Sequence, residues 1–194
     1  MDQNPTIGSG LPTTTEICLA ALLLINVSAQ AQILSRYPVP TVSSQPNWIT
    51  PGPDGALWFA EGAGNKIGRI AASGEFLDEF VLPTPGAGPF DLISGPDGAI
   101  WFTEFQGNRI GRITTSGVVA EYSIPTANSR PFAIVVGPDN ELWFTEGNSM
   151  NLARITTAGA ITEFPVPARP LGIASGPDGN LWCLWRPTPT GSLA

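Results

Sequence analysis

The chain of 194 residues contains no histidine. That removes the side chain whose ordinary pKa lies nearest neutrality, and with it the most accessible base for taking a carbon-bound proton near pH 7. Lys and Arg are also scarce, nine against 16 Asp and Glu, which leaves a net charge of −7 and a pI near 4.4. The nine cations are spread at repeat positions and form no basic patch, so nucleic acid is excluded as a partner and anionic membranes are disfavoured. Of two cysteines, Cys18 lies in an apolar leader and Cys183 at a β-core position, so a chain lacking the leader has no internal disulfide. The sequence also lacks a nucleophile–base pair, a Gly-rich phosphate loop and a Cys/His metal cluster.

The leader's apolar run, residues 17–27, is too short to cross a bilayer. Behind it, Ala29-Gln30-Ala31 has the small-x-small form of a signal-peptidase site, so residues 1–31 are expected to act as an export leader and the protein to be secreted or periplasmic. Against this, Met1 to Glu16 carries Asp2 and Glu16 and no basic residue, which keeps a cytoplasmic location as the alternative.

What the chain does have is a repeat. Gly52-Pro53-Asp54-Gly55, Gly95-Pro96-Asp97-Gly98, Gly137-Pro138-Asp139-Asn140 and Gly176-Pro177-Asp178-Gly179 start 43, 42 and 39 residues apart. A tryptophan follows each turn at one offset (Trp58, Trp101, Trp143, Trp182), and in three copies an Arg-Ile follows it at Arg69, Arg112 and Arg154. Within the copy Pro89 to Pro125, four short runs of β-formers are separated by turn residues, and no stretch carries an apolar stripe at helical spacing. Four antiparallel strands of this length cannot cover both their faces and must stack on further copies, which is the behaviour of a propeller blade. The tryptophans then form the core between blades.

The expected fold is therefore all-β, a partial β-propeller of three and a half to four blades in one domain over residues 32–194. Whole copies occupy 46–83, 89–125 and 131–167, and a half copy occupies 170–185. Residues 33–41 match the end of a fourth strand and form an orphan outer strand, able to complete the half blade. An open arc of this kind exposes an apolar blade face at each end, so self-association as a dimer is expected, with four-bladed closure through Ile33 to Thr41 as the competing outcome.

Two sets of residues are candidates for function. Glu61, Glu104 and Glu146 recur at one blade position and could together hold a divalent cation; the alternative pairs them with Arg69, Arg112 and Arg154. Asn47 and Asp91 interrupt the otherwise apolar innermost strand, where residues line the central channel or its mouth, and are candidate contacts for a small-molecule ligand. Asp54, Asp97, Asp139 and Asp178 are turn residues expected to bond their own backbone.

The unit Pro-x-x-Ile-x-x-Gly-Pro-Asp-Gly-x-Leu/Ile-Trp-Phe-Thr-Glu, with Asn108-Arg109-Ile110-Gly111-Arg112-Ile113-Thr114 and Glu121-Tyr122 in its best copy, resembles the repeat of the virginiamycin B (streptogramin B) lyases from Tyr37 to Trp185. The resemblance implies a seven-bladed propeller that linearises a cyclic depsipeptide antibiotic by elimination across its ester, using Mg²⁺ and a histidine base. The resemblance implies that the functional histidines follow the proline that opens the innermost strand of late blades, in a Pro-His-Ala/Gly-Ile pattern. Here those positions hold Asn47, Phe90, Phe132 and Leu171. The family's metal carboxylate stands four residues after a blade tryptophan, where this chain has Gly62, Phe105, Gly147 and Arg186. The expectation is a lyase-like propeller, truncated and without the base for elimination; the alternative is a non-enzymatic exported propeller that binds a ligand or partner.

Overall fold

The computed structural model describes residues 37–185. The leader expected over 1–31, residues 33–36 of the orphan strand, and Arg186 lie outside the described residues. Fourteen strands follow one another without a helix among the described residues. The first sheet contains β1 (Pro46–Pro51), β2 (Leu57–Glu61), β3 (Lys66–Ile70) and β4 (Phe76–Val81); the second β5 (Pro89–Ser94), β6 (Ile100–Glu104), β7 (Arg109–Ile113) and β8 (Val119–Ser123). The third contains β9 (Pro131–Val136), β10 (Leu142–Glu146), β11 (Asn151–Ile155) and β12 (Ile161–Pro165), and a final pair is β13 (Pro170–Ser175) with β14 (Leu181–Trp185). Each sheet is an antiparallel meander in chain order, so the sequence copies and the blades coincide.

The core lies between blades, because each sheet buries both faces only against its neighbours. One cluster joins Trp58, Ala60 and Ile67 of the first blade to Leu92, Ile100, Phe102 and Ile113 of the second. The next joins Trp101 and Ile110 to Ile134, Leu142, Phe144 and Ile155. Burial of the tryptophans follows what stands on their far side. Trp58 and Trp101 face a whole blade and are fully buried, Trp143 is half-buried, and Trp182, with no further blade among the described residues, is 63% exposed. The expected tryptophan core therefore holds for the first two and fails for the last.

The segment 37–41 is not a strand, whereas the orphan-strand expectation placed one there. Its contacts nevertheless copy those of a fourth-strand end. Thr41 donates its amide and hydroxyl to Glu79, as Thr84 does to Glu121 and Thr126 to Glu163 in the following blades. The ring of Tyr37 covers Gly74 as Phe80 covers Gly117 and Tyr122 covers Gly159, contacts that only a residue without Cβ permits.

Candidate functional site

The inner strands all carry the same irregularity. After its first proline each departs from register for two residues: 47–48 lie opposite Ala60, 90–91 opposite Thr103, 132–133 opposite Thr145 and 171–172 opposite Leu184. These are β-bulges, which turn side chains out of the regular alternation and often border sites. Blade-to-blade bonds hold them. The Thr103 hydroxyl accepts from the Asp91 amide (3.1 Å) and donates to the Phe132 carbonyl (3.1 Å). Thr145 accepts from the Ala133 amide (3.0 Å) and donates to the Leu171 carbonyl (2.8 Å). Ala60 has no hydroxyl, and in the first blade Asn47 Nδ2 reaches the Pro89 carbonyl at 3.3 Å instead.

The bulges bring together an aromatic cluster that the sequence reading did not assemble. Phe90 and Phe132 lie 4.6 Å apart between centroids, Phe105 is 6.0 and 6.3 Å from them, and Trp48 is 6.2 Å from Phe90. The Arg130 guanidinium sits over Phe105 at 5.4 Å, a cation–π contact. Asn47 lines a cavity of about 380 Å³ with Gln45, Phe90, Phe105 and Gln106. Asp91 lines a different one, also about 380 Å³, with Trp48, Phe90, Phe132 and Ile173. The two candidate ligand contacts are thus not brought into one cavity; Phe90 borders both. Asp91 is 8% exposed and accepts from the Ile134 amide of the next blade at 2.9 Å. Burial pushes its pKa up to about 6, although the Ile134 and Leu92 amides pull the other way.

Glu61, Glu104 and Glu146 are each fully buried in their own blade, and no group of three or more metal-ligating side chains forms among the described residues. Nor are they paired with the repeat arginines. Arg69 binds Asp54 at 2.6 Å and Arg112 binds Asp97 at 2.7 Å, while Arg154 lies 3.7 Å from Asp139. Strand geometry decides this: Trp58 stands directly opposite Arg69 and so shares its face, whereas Glu61, three residues on, points to the other. The turn aspartates bond their backbone as expected, Asp54 to the Ala56 amide and Asp97 to the Ala99 amide, and also accept the Trp58 and Trp101 indole N–H. Burial opposes their ionisation, but these donors and the arginines outweigh it and hold both carboxyls below the usual range.

Each buried glutamate faces a second carboxyl on the fourth strand, Glu79, Glu121 or Glu163. Glu146 receives Ser149 (2.6 Å) and Asn151 (3.2 Å), but both oxygens of Glu104 lack a donor, and Arg109 bonds Ser123 instead. Burial, then the charge of Glu121, pushes Glu104 up to about 8 despite Arg109; burial likewise raises Glu61 and Glu146.

The family model described as the Virginiamycin B lyase family matches residues 23–185. The chain belongs to that family. It is 45% identical to virginiamycin B lyase from Staphylococcus aureus, with a TM-score of 0.75 over 78% of this chain and 52% of the lyase. A streptogramin B lyase structure is 47% identical, with a TM-score of 0.73 over 77% of this chain and 51% of that one. A catalytically inactive histidine-to-alanine variant of the S. aureus lyase with quinupristin is 45% identical, with a TM-score of 0.76 over 79% of this chain and 53% of that one. The chain therefore spans about half the length of the lyases it matches. No curated protein matches it significantly.

The Mg²⁺ that the family resemblance implies does not fit the residues present. Mg²⁺ demands oxygen ligands in octahedral array. At the position four residues after each blade tryptophan the described residues are Gly62, Phe105 and Gly147, and Phe105 is packed against Phe90, Phe132 and Arg130.

Proposed function

We propose that this chain is a binding member of the virginiamycin B lyase family, holding a cyclic depsipeptide of the streptogramin B type against its inner-strand bulges without opening it. The observation that carries this reading is the content of the four bulge positions that follow the opening proline of each inner strand: Asn47, Phe90, Phe132 and Leu171. They offer aromatic and apolar area, which favours a large, ring-bearing ligand, and no group that takes a proton from carbon. Elimination must remove the α-proton, break the ester C–O bond and leave a carboxylate and an alkene.

The test is incubation of the full chain with quinupristin, followed by chromatography. Elimination leaves the mass unchanged, so the readouts are retention time and absorbance of the new double bond. The proposal expects intact quinupristin; linear product above a protein-free control would overturn it.

A further inference from the structure

The channel cavity joins three aromatic rings to one buried carboxylate. Trp48, Phe90 and Phe132 line it, Asp91 sits among them, and no other lining residue is charged. Asp91 forms no ion pair among the described residues, although it is 92% removed from solvent and the chain as a whole carries five described Arg–carboxylate or Lys–carboxylate contacts elsewhere. Its Oδ2 accepts from the Ile134 amide, the Leu92 amide also bonds the carboxyl, and its own amide donates to the Thr103 hydroxyl, so its described partners are all neutral. A buried anion without a cation is costly, and aromatic faces attract cations through their quadrupoles.

We propose that this cavity is a cage for an alkylammonium group, with Asp91 supplying the countercharge and Trp48, Phe90 and Phe132 the aromatic walls. The ligand class is a tertiary or quaternary amine small enough for a space of about 380 Å³. The acidity of the protein favours the same sign of ligand, since a net charge of −7 attracts cations at long range. This inference does not rest on the depsipeptide reading, because it concerns a small cation and the channel cavity rather than ester chemistry.

The probes are choline and its uncharged carbon isostere 3,3-dimethyl-1-butanol, titrated calorimetrically into the full chain at pH 7.5, above the value of about 6 to which burial raises Asp91. Choline is expected to bind saturably and at least ten-fold more tightly than the isostere. Asp91→Asn keeps an acceptor for the Ile134 amide, and is expected to lose at least ten-fold in choline affinity with its melting temperature little changed. Equal affinity for the two probes, no saturation with choline, or undiminished binding by the Asn variant would each overturn the cage. The comparison of probes on the unmodified chain stands even where a variant fails to fold.

Discussion

Trp101 donates its indole N–H to Asp97 at 2.9 Å, and through that bond a surface turn is anchored to the core between two blades. Asp97 also accepts from the Ala99 amide and from Arg112, whose guanidinium lies 5.9 Å from the Trp101 ring. Asp97→Ala leaves a buried indole donor without a partner and is expected to cost about 1–3 kcal/mol. Asp178→Ala makes the same deletion where Trp182 is exposed, so its effect should be much smaller. Urea unfolding of the two variants checks the difference; equal losses would contradict the account of the ladder.

The carboxyl of Glu104 predicts an unusual pH dependence. Its pKa is raised to about 8 in the folded chain, while the unfolded chain ionises near the ordinary 4.5. The sign follows from linkage: its contribution is fully present below about pH 4.5, is lost as pH rises towards 8, and is level above that. Asp54, Asp97 and Asp139 act oppositely, being lowered, and their contribution fades as pH falls below the ordinary carboxyl range. Stability should therefore peak on the acid side, near about pH 5. Glu104→Gln keeps the size and shape of the side chain but cannot titrate, and should flatten the fall between pH 5 and 8 by up to a few kcal/mol. Parallel pH profiles for the two proteins in urea unfolding would refute this.

The blades were legible because turn, tryptophan and Arg-Ile recur at fixed offsets, and runs of β-formers without a helical stripe fill each repeat between its turns. The Arg69–Asp54 pairing was also within reach: Trp58 and Arg69 share a face and Glu61 cannot, by strand alternation alone. The bulges were not. A bulge shifts the period-two alternation by one residue, but strands of six residues are too short to display the shift, so Phe90 and Phe132 read only as positions compared with the family's histidines, and their meeting with Trp48 and Phe105 needed the fold. The carboxyl pairs were hidden for a related reason, since Glu104 and Glu121 lie on strands separated by β7 in the sheet.

Exposed apolar side chains among the described residues predict self-association. Trp48 and Ile49 on β1, and Trp182, Leu184 and Trp185 at the other end, are exposed. Contiguous apolar surface of this kind favours association. Sedimentation velocity across a hundred-fold range of concentration should show a shift from monomer to dimer or larger species; a single monomeric boundary throughout would count against it.

The most direct test of the central claim is a fluorescence titration of the full chain with quinupristin, comparing the unmodified protein with Phe132→Ala. Saturable quenching that weakens at least ten-fold in the variant, with the antibiotic recovered intact, is what a binding propeller built on the inner-strand bulges predicts. Titrations that do not saturate, or that are indifferent to Phe132, would contradict it.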